Sequence, residues 1–227
     1  MKQKIICLIP VKHNSKRLKF KNFLKIQKKS LLERSINTAR KSKLFSEIFI
    51  STDSKYAKKI ATHKKLSIPF FRPKKLSMDP ATITDVMLHT INYFKSKNEN
   101  FDVMFVLSVT NPFYSPEDLK SAYQKFKKKN IGLLSVSESK GNPFNSWLIK
   151  KNCLKPAFPK SKYKFTKSTE SPKTYLSNGA IRIVNIKKFL KNKSFHTMKL
   201  TPFVMKEKSS IDIDTKFDYE ITKLLLK

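Results

Sequence analysis

Apolar residues in this chain come in short runs separated by amphipathic stretches. Strand-like runs stand at 4–9, 47–51, 69–71, 103–109, 132–137 and 180–184, with helical patterns between them at about 30–42, 55–64, 82–96 and 116–129. Leu31, Leu32, Ile36 and Ala39 recur at helical spacing, which assigns them to a face packed on a sheet. Ser115-Pro116-Glu117-Asp118 has the form of an N-cap, a proline in the first turn and two acids near the positive helix end. Such alternation predicts an α/β fold of three layers with a mixed, mostly parallel sheet and right-handed crossovers. Residues 139–176 break the rhythm with Lys, Ser and Pro, and set Phe144 and Trp147 among polar neighbours. That stretch is expected to be a dimerisation arm or lid on a single domain spanning 1–227, and a small hydrophobic core of its own is the alternative. A short helix over 215–226 closes the chain.

Composition changes this picture in two ways. Lys and Arg number 49 against 16 Asp and Glu, a formal charge of +33. A balance of that kind attracts nucleic acid, anionic membranes and acidic metabolites. Arginine, the better fork for bases and phosphates, stands only at positions 17, 34, 40, 72 and 182, while lysines are scattered over every segment. The excess therefore fits an AT-rich coding sequence filling exposed positions, and no specific nucleic-acid partner is expected. Second, only three glycines occur, at 132, 141 and 179, which excludes a Walker A or GxGxxG loop after the first strand. Cys7 and Cys153 are isolated, without CxxC spacing, as in a reducing, cytoplasmic compartment. The first apolar run is too short for a membrane span.

Candidate chemistry gathers where the predicted strands end. Ile5–Pro10 runs into a polar loop carrying Lys12, Lys16, Arg17 and Lys21, and a cationic loop at the carboxyl edge of an α/β sheet suits a nucleoside triphosphate. Ser51-Thr52-Asp53 ends the second run, where either a ligand contact or a helix cap would use these residue types. Arg72 is a lone arginine amid lysines, which suggests a forked, planar contact. Thr82 opens a helix, and Ser108, Thr110 and Asn111 close the most apolar run. Asn178-Gly179-Ala180 precedes another strand. Asp212 and Asp214, at i and i+2, share one face of an extended segment and together suit Mg²⁺. Asp214 also precedes Thr215, where capping of the last helix is the alternative role.

In order and spacing these motifs resemble the acylneuraminate cytidylyltransferases (CMP-sialic acid synthetases), including CMP-pseudaminic and CMP-legionaminic acid synthetases, over essentially the whole length. The family loop A-R-x-x-S-K-x-[LI]-x-x-K-N reads here Val11-Lys12-His13-Asn14-Ser15-Lys16-Arg17-Leu18-Lys19-Phe20-Lys21-Asn22. Ser51-Thr52-Asp53, Arg72-Pro73, Thr110-Asn111-Pro112, Asn178-Gly179-Ala180 and Asp212-Ile213-Asp214-Thr215 follow in the family order. The resemblance implies a Rossmann-like nucleotidyltransferase fold and a homodimer. The implied reaction is Mg²⁺-dependent transfer of CMP from CTP to the anomeric 2-hydroxyl of an acidic nine-carbon 2-keto sugar.

It assigns the triphosphate to Lys12, Asn14, Ser15, Lys16 and Lys21, and the cytidine to Asn22, Arg72 and Thr82. Asp212 and Asp214 take the metal, with Lys12, Lys16, Lys21 and Asp214 as the catalytic set. Ser108, Thr110, Asn111, Lys167, Tyr175 and Asn178 fall at the sugar. Several sugar positions depart from the family: a glutamine is Ser108, an arginine falls at Ser168 beside Lys167, and the tyrosine after Asn-Gly-Ala-Ile is Arg182. Two alternatives follow. One is activation of an eight-carbon, Kdo-like acid, against which Lys21-Asn22 and Asn178-Gly179 argue. The other is an impaired family member with a basic surface for RNA or membrane.

Overall fold

The structure, a computed structural model, describes residues 3–167 and 169–226. Its strands are β1 (Ile5–Val11), β2 (Lys25–Ile26), β3 (Lys29–Ser30), β4 (Glu47–Thr52), β5 (Val103–Leu107), β6 (Gly132–Glu138), β7 (Trp147–Lys150), β8 (Cys153–Pro156), β9 (Tyr175–Asn185) and β10 (Thr201–Val204). The helices are α1 (Leu31–Ser42), α2 (Lys55–His63), α3 (Ile83–Ser96), α4 (Pro116–Lys127), α5 (Ile186–Asn192) and α6 (Lys216–Leu225).

Six strands form one sheet in the order β10-β6-β9-β5-β1-β4. β1 runs parallel to both β4 and β5, and β10 parallel to β6, whereas β9 is antiparallel to both of its neighbours. Five strands therefore point one way and β9 alone is reversed, as the expected mixed, mostly parallel sheet requires.

The period-2 alternation of β1 separates two cores. Ile5, Cys7, Ile9 and Val11 pack with α1, α2 and α4, while Ile6 and Leu8 pack with α3 and α5 on the opposite face. The three layers follow from that split. Capping fixes where helices begin: Ser30 with Glu33, Thr82 with Asp85, Ser115 with Asp118 and Thr215 with Asp218 all form reciprocal capping boxes. Because Thr215 caps α6, Asp214 is released from that alternative role.

One expected strand is absent. The run 69–71 begins at Pro69 and is followed closely by Pro73, neither of which can donate to a ladder, and the Arg72 amide reaches a neighbouring strand at Thr52 O (2.6 Å). The apolarity there serves packing instead, since Phe70 sits against Phe49, Tyr93 and His89 beneath α3.

Residues 139–176 hold the β7–β8 hairpin. Its two-residue turn, Lys151-Asn152, has positive φ at both positions, as twist-matched hairpin turns do. The excursion holds a small aromatic cluster beside an exposed hairpin. Phe144 packs on Phe158 and Tyr163, while Trp147 stays 47% exposed against Phe165, and Ile149 on the hairpin is 77% exposed.

Candidate active site

A cleft of about 670 Å³ opens at the carboxyl ends of β1 and β5, where the chain departs from β1 to opposite sides of the sheet. Its size suits a nucleotide with room beside it. Lys12, Asn14, Ser15, Lys16, Lys21 and Asn22 line it from the loop after β1. Arg72 and Thr82 line it from the side of α3, and Ser108, Thr110 and Arg182 from the sheet edge.

The loop after β1 is fixed by hydrogen bonds rather than by glycine. Asn22 Nδ2 donates to Lys12 O (2.9 Å), closing the loop on itself. The His13 amide donates to Asp53 Oδ1 (2.8 Å), and the His13 ring meets Ser54 Oγ at 2.8 Å. Asp53 is thereby an anchor of the cationic loop, a role its place at the end of a strand did not reveal. Asp53→Ala removes the acceptor of the His13 amide and the carboxylate 4.0 Å from the buried Arg72 guanidinium, so it should raise the KM for CTP about tenfold and also lower the melting temperature. Steady-state kinetics across CTP concentrations check this, and an unchanged KM would refute the anchoring role.

Arg72 is spent inside the protein. Its side chain is 1% exposed, Nε donates to Ser77 Oγ (2.9 Å), and Nη2 donates to Val11 O (3.1 Å). The fork expected to face a ligand instead ties the end of β1 to the segment before α3, with only its edge on the cleft. Thr82 likewise uses its hydroxyl to cap α3, donating to Asp85 Oδ2 (2.7 Å). Lys16 pairs with Asp79 at 2.6 Å on the rim, and that pairing, with Lys12 nearby, holds the Asp79 carboxyl below its ordinary range.

The carboxylate segment reaches the cleft through β5. The Ile213 amide donates to Thr110 O (2.9 Å), and Asn111 Nδ2 donates to both Ile211 O and Asn178 O (3.1 Å each). Ile213 is fully buried, which turns Asp212 and Asp214 outward on one face. Asp214 Oδ1 meets Lys21 Nζ at 2.6 Å and Oδ2 meets Arg17 Nη1 at 2.5 Å. Lys21 is 11% exposed there, so its pair with Asp214 is sheltered, whereas Arg17 stays largely in water. Asp212 is exposed to solvent at the edge of the carboxylate segment yet has protein mass packed around it. Burial first, then repulsion from Asp214, raises its carboxyl above the ordinary range against the opposing Thr110 hydroxyl and the Lys21 and Arg17 charges.

Two carboxylates next to an anion-binding loop fit Mg²⁺, which takes one or two protein carboxylates and completes its octahedron with water and substrate phosphate. Among the described residues no group of three or more His, Cys, Asp and Glu forms a closed metal cage.

Four expected sugar contacts do not line the cleft. Asn111 is wholly buried and its amide joins β5, β9 and the carboxylate segment. Asn178 accepts from Ser135 Oγ (2.6 Å) and donates to Ser210 Oγ (3.0 Å), bracing the irregularity in β6 between Leu134 and Val136. Tyr175 is exposed at the start of β9, opposite Glu138, and Lys167 is exposed in the excursion. Ser108 and Thr110 do reach the cleft, their hydroxyls paired at 2.9 Å. Ser168 lies outside the described residues. Arg17 and Arg182 join the site without having been assigned a contact there; the scarcity of arginine in this chain is the signal that would have found both.

Comparison with known proteins identifies the family and the fold. The chain is 31% identical over 229 residues to CMP-N,N'-diacetyllegionaminic acid synthase of Legionella pneumophila, covering 99% of this chain and 97% of that protein. It is 30% identical over 225 residues to pseudaminic acid cytidylyltransferase of Campylobacter jejuni, with the same coverage. The solved structure of CMP:2-keto-3-deoxy-manno-octonic acid synthetase complexed with CTP superposes with a TM-score of 0.70 over 98% of each chain, at 13% identity, which shows a shared fold. A model of the family described as Cytidylyltransferase matches residues 6–224. The chain belongs to the cytidylyltransferase family and is a CTP-using nucleotidyltransferase.

Proposed function

We propose that the protein transfers CMP from CTP to the anomeric 2-hydroxyl of an acidic nine-carbon 2-keto sugar, releasing pyrophosphate, as a Mg²⁺-dependent cytoplasmic homodimer. The observation that carries this reading is the gathering of Lys12, Lys16, Arg17 and Lys21 on one cleft, with Asp214 paired to Lys21 and Arg17 at its edge and Asp212 beside Thr110. Transfer of a nucleotidyl group needs little covalent help from the protein; it needs the phosphates held in line and their growing charge neutralised. The loop cations and backbone amides supply that neutralisation. Asn22 and Asp53 keep the loop in position, and Arg72 and Thr82 set the rim where the cytidine would lie. Asp212 and Asp214 would hold Mg²⁺, which would supply positive charge against the phosphates and make the attacking hydroxyl more acidic. The names of these relatives, a legionaminic and a pseudaminic acid enzyme, support a nonulosonic acid as acceptor.

The exposed Trp147, Ile149 and Leu154 of the β7–β8 hairpin support the homodimer, because an apolar projecting hairpin gains by covering itself with a second copy. The test of function is pyrophosphate release with CTP, Mg²⁺ and a panel of nonulosonic acids, with ATP, GTP, UTP and an eight-carbon keto acid as controls. Turnover confined to CTP and one nine-carbon acid is the expected result. Turnover of the eight-carbon acid alone would overturn the assigned substrate, and absence of Mg²⁺-dependent CTP binding would overturn the reaction.

A further inference from the structure

Arg182 is a largely buried cation of this cleft that has no ion-pair partner among the described residues. It projects from β9 on the face shared with Val106 and Val184, pairs in register with Val106 and Leu134, and lines the cleft beside Ile83, Val86 and Val106. Among the described residues its guanidinium makes one hydrogen bond, from Nη1 to the Gly179 carbonyl at 3.1 Å. Gly179 adopts φ 69°, and this left-handed turn sits against the fork without a side chain. Among the described residues no carboxylate lies within ion-pair distance of Arg182. Asp212 acts on it only through longer-range attraction, and burial depresses the guanidinium against that attraction.

The other arginines of the cleft are already engaged. Arg17 is on Asp214, and Arg72 is on Val11 O and Ser77 Oγ. A guanidinium does not shed its proton in a protein, so a largely buried one without an ion-pair partner carries a desolvation cost that an incoming anion relieves.

We propose that Arg182 is the specificity-determining residue that binds the carboxylate of the acceptor sugar, through a forked pair made across the cleft from the triphosphate loop. This rests on the transfer to an acidic keto sugar proposed above. Position argues for the acceptor rather than the phosphates. β9 lies two strands from β1, roughly 10 Å at the usual strand spacing, while the loop cations and Asp214 gather on the β1 side. A planar carboxylate matches the guanidinium fork, and the apolar walls at Ile83, Val86 and Val106 exclude water and strengthen the pair. The arginine occupies the position where the resemblance placed a tyrosine, and the place where it put an arginine is Ser168. The cation for the acid group is therefore supplied from the sheet rather than from the excursion.

The test compares wild type, Arg182→Ala and Arg182→Lys by kinetics, and by calorimetric titration of N-acylneuraminic, pseudaminic and legionaminic acids and their methyl esters into protein loaded with Mg²⁺ and CTP. In Arg182→Ala the KM for the acid should rise about 100-fold while that for CTP stays within about twofold. Wild type should prefer acid over ester by at least about tenfold, Arg182→Ala should lose the preference, and Arg182→Lys should regain part of it. Thermal melting with and without CTP confirms that the variants are folded. An equal rise in the KM for CTP would assign the fork to phosphate and overturn the proposal. So would an unchanged acid KM, or wild type that binds acid and ester alike or binds no acid. CTP binding with no turnover of any acid would count against the proposed reaction, while the acid-to-ester preference still decides Arg182.

Discussion

Asp214→Asn should lower turnover at saturating CTP and Mg²⁺ by roughly 10³-fold, about 4 kcal/mol of transition-state stabilisation, and leave the fold intact. The two halves of this expectation have separate causes. Activity depends on the charge, because Asp214 is one of two carboxylates available to hold a divalent cation at the phosphates. The fold is spared because the neighbouring structural work is done elsewhere: Thr215 and Asp218 cap α6, and the Ile213 amide ties the segment to Thr110 in the turn after β5.

A second readout distinguishes loss of a metal ligand from general damage. Asp214 currently engages Lys21 and Arg17, one on each oxygen. Removing its charge frees both cations for phosphate, so CTP binding measured in EDTA should strengthen while Mg²⁺-dependent turnover collapses. Turnover near wild type at saturating Mg²⁺ would remove Asp214 from the metal role. Weaker CTP binding in EDTA would show that the ion pairs organise the loop rather than compete for it.

The pair between Arg17 and Asp214 also shows where sequence reading stops. The residues are 197 positions apart, and nothing local to either points to the other. What was legible was what the chain repeats or spaces regularly. The apolar run over 4–9 read as a buried strand, Ser115-Pro116-Glu117-Asp118 read as a helix start, and the cationic loop was placed by the strand that delivers it. Residues 69–71 misled because apolar side chains packing under α3 look like strand residues until Pro69 and Pro73 are weighed. α5 and β10 were missed because both are short and rich in polar residues or proline.

Asn111 and Asn178 are a subtler case. An amide that braces backbone carbonyls and one that meets a sugar have the same donors and acceptors, so sequence pattern alone cannot separate them. Burial does, since both have spent side-chain groups on the frame that carries Thr110 and the carboxylates to the cleft. Arg72 follows the same logic. Its forked geometry was anticipated, and the fork grips the protein's own backbone.

Asp212→Asn should cut turnover by about 10²-fold or more and yet give a protein that melts no lower than wild type. Most substitutions at a site that makes specific contacts destabilise, so the sign of this effect is informative. Asp212 is held in an unfavourable setting: protein mass removes part of its hydration, Asp214 repels it, and the Thr110 hydroxyl, Lys21 and Arg17 offset this incompletely. The folded chain therefore binds a proton at Asp212 more tightly than the unfolded chain does. The stability linked to that proton is fully present below the ordinary carboxylate value, about 3.9, and is lost as pH rises through the raised folded value. At neutral pH the ionised carboxylate is a net cost, which the isosteric amide does not carry. Melting curves should then place the variant level with or above wild type at pH 7, with the difference narrowing as the solution is acidified. A lower melting temperature at pH 7 would mean that Asp212 holds the cleft together. The expected result means instead that the chain keeps a destabilising carboxylate because its chemistry needs the charge.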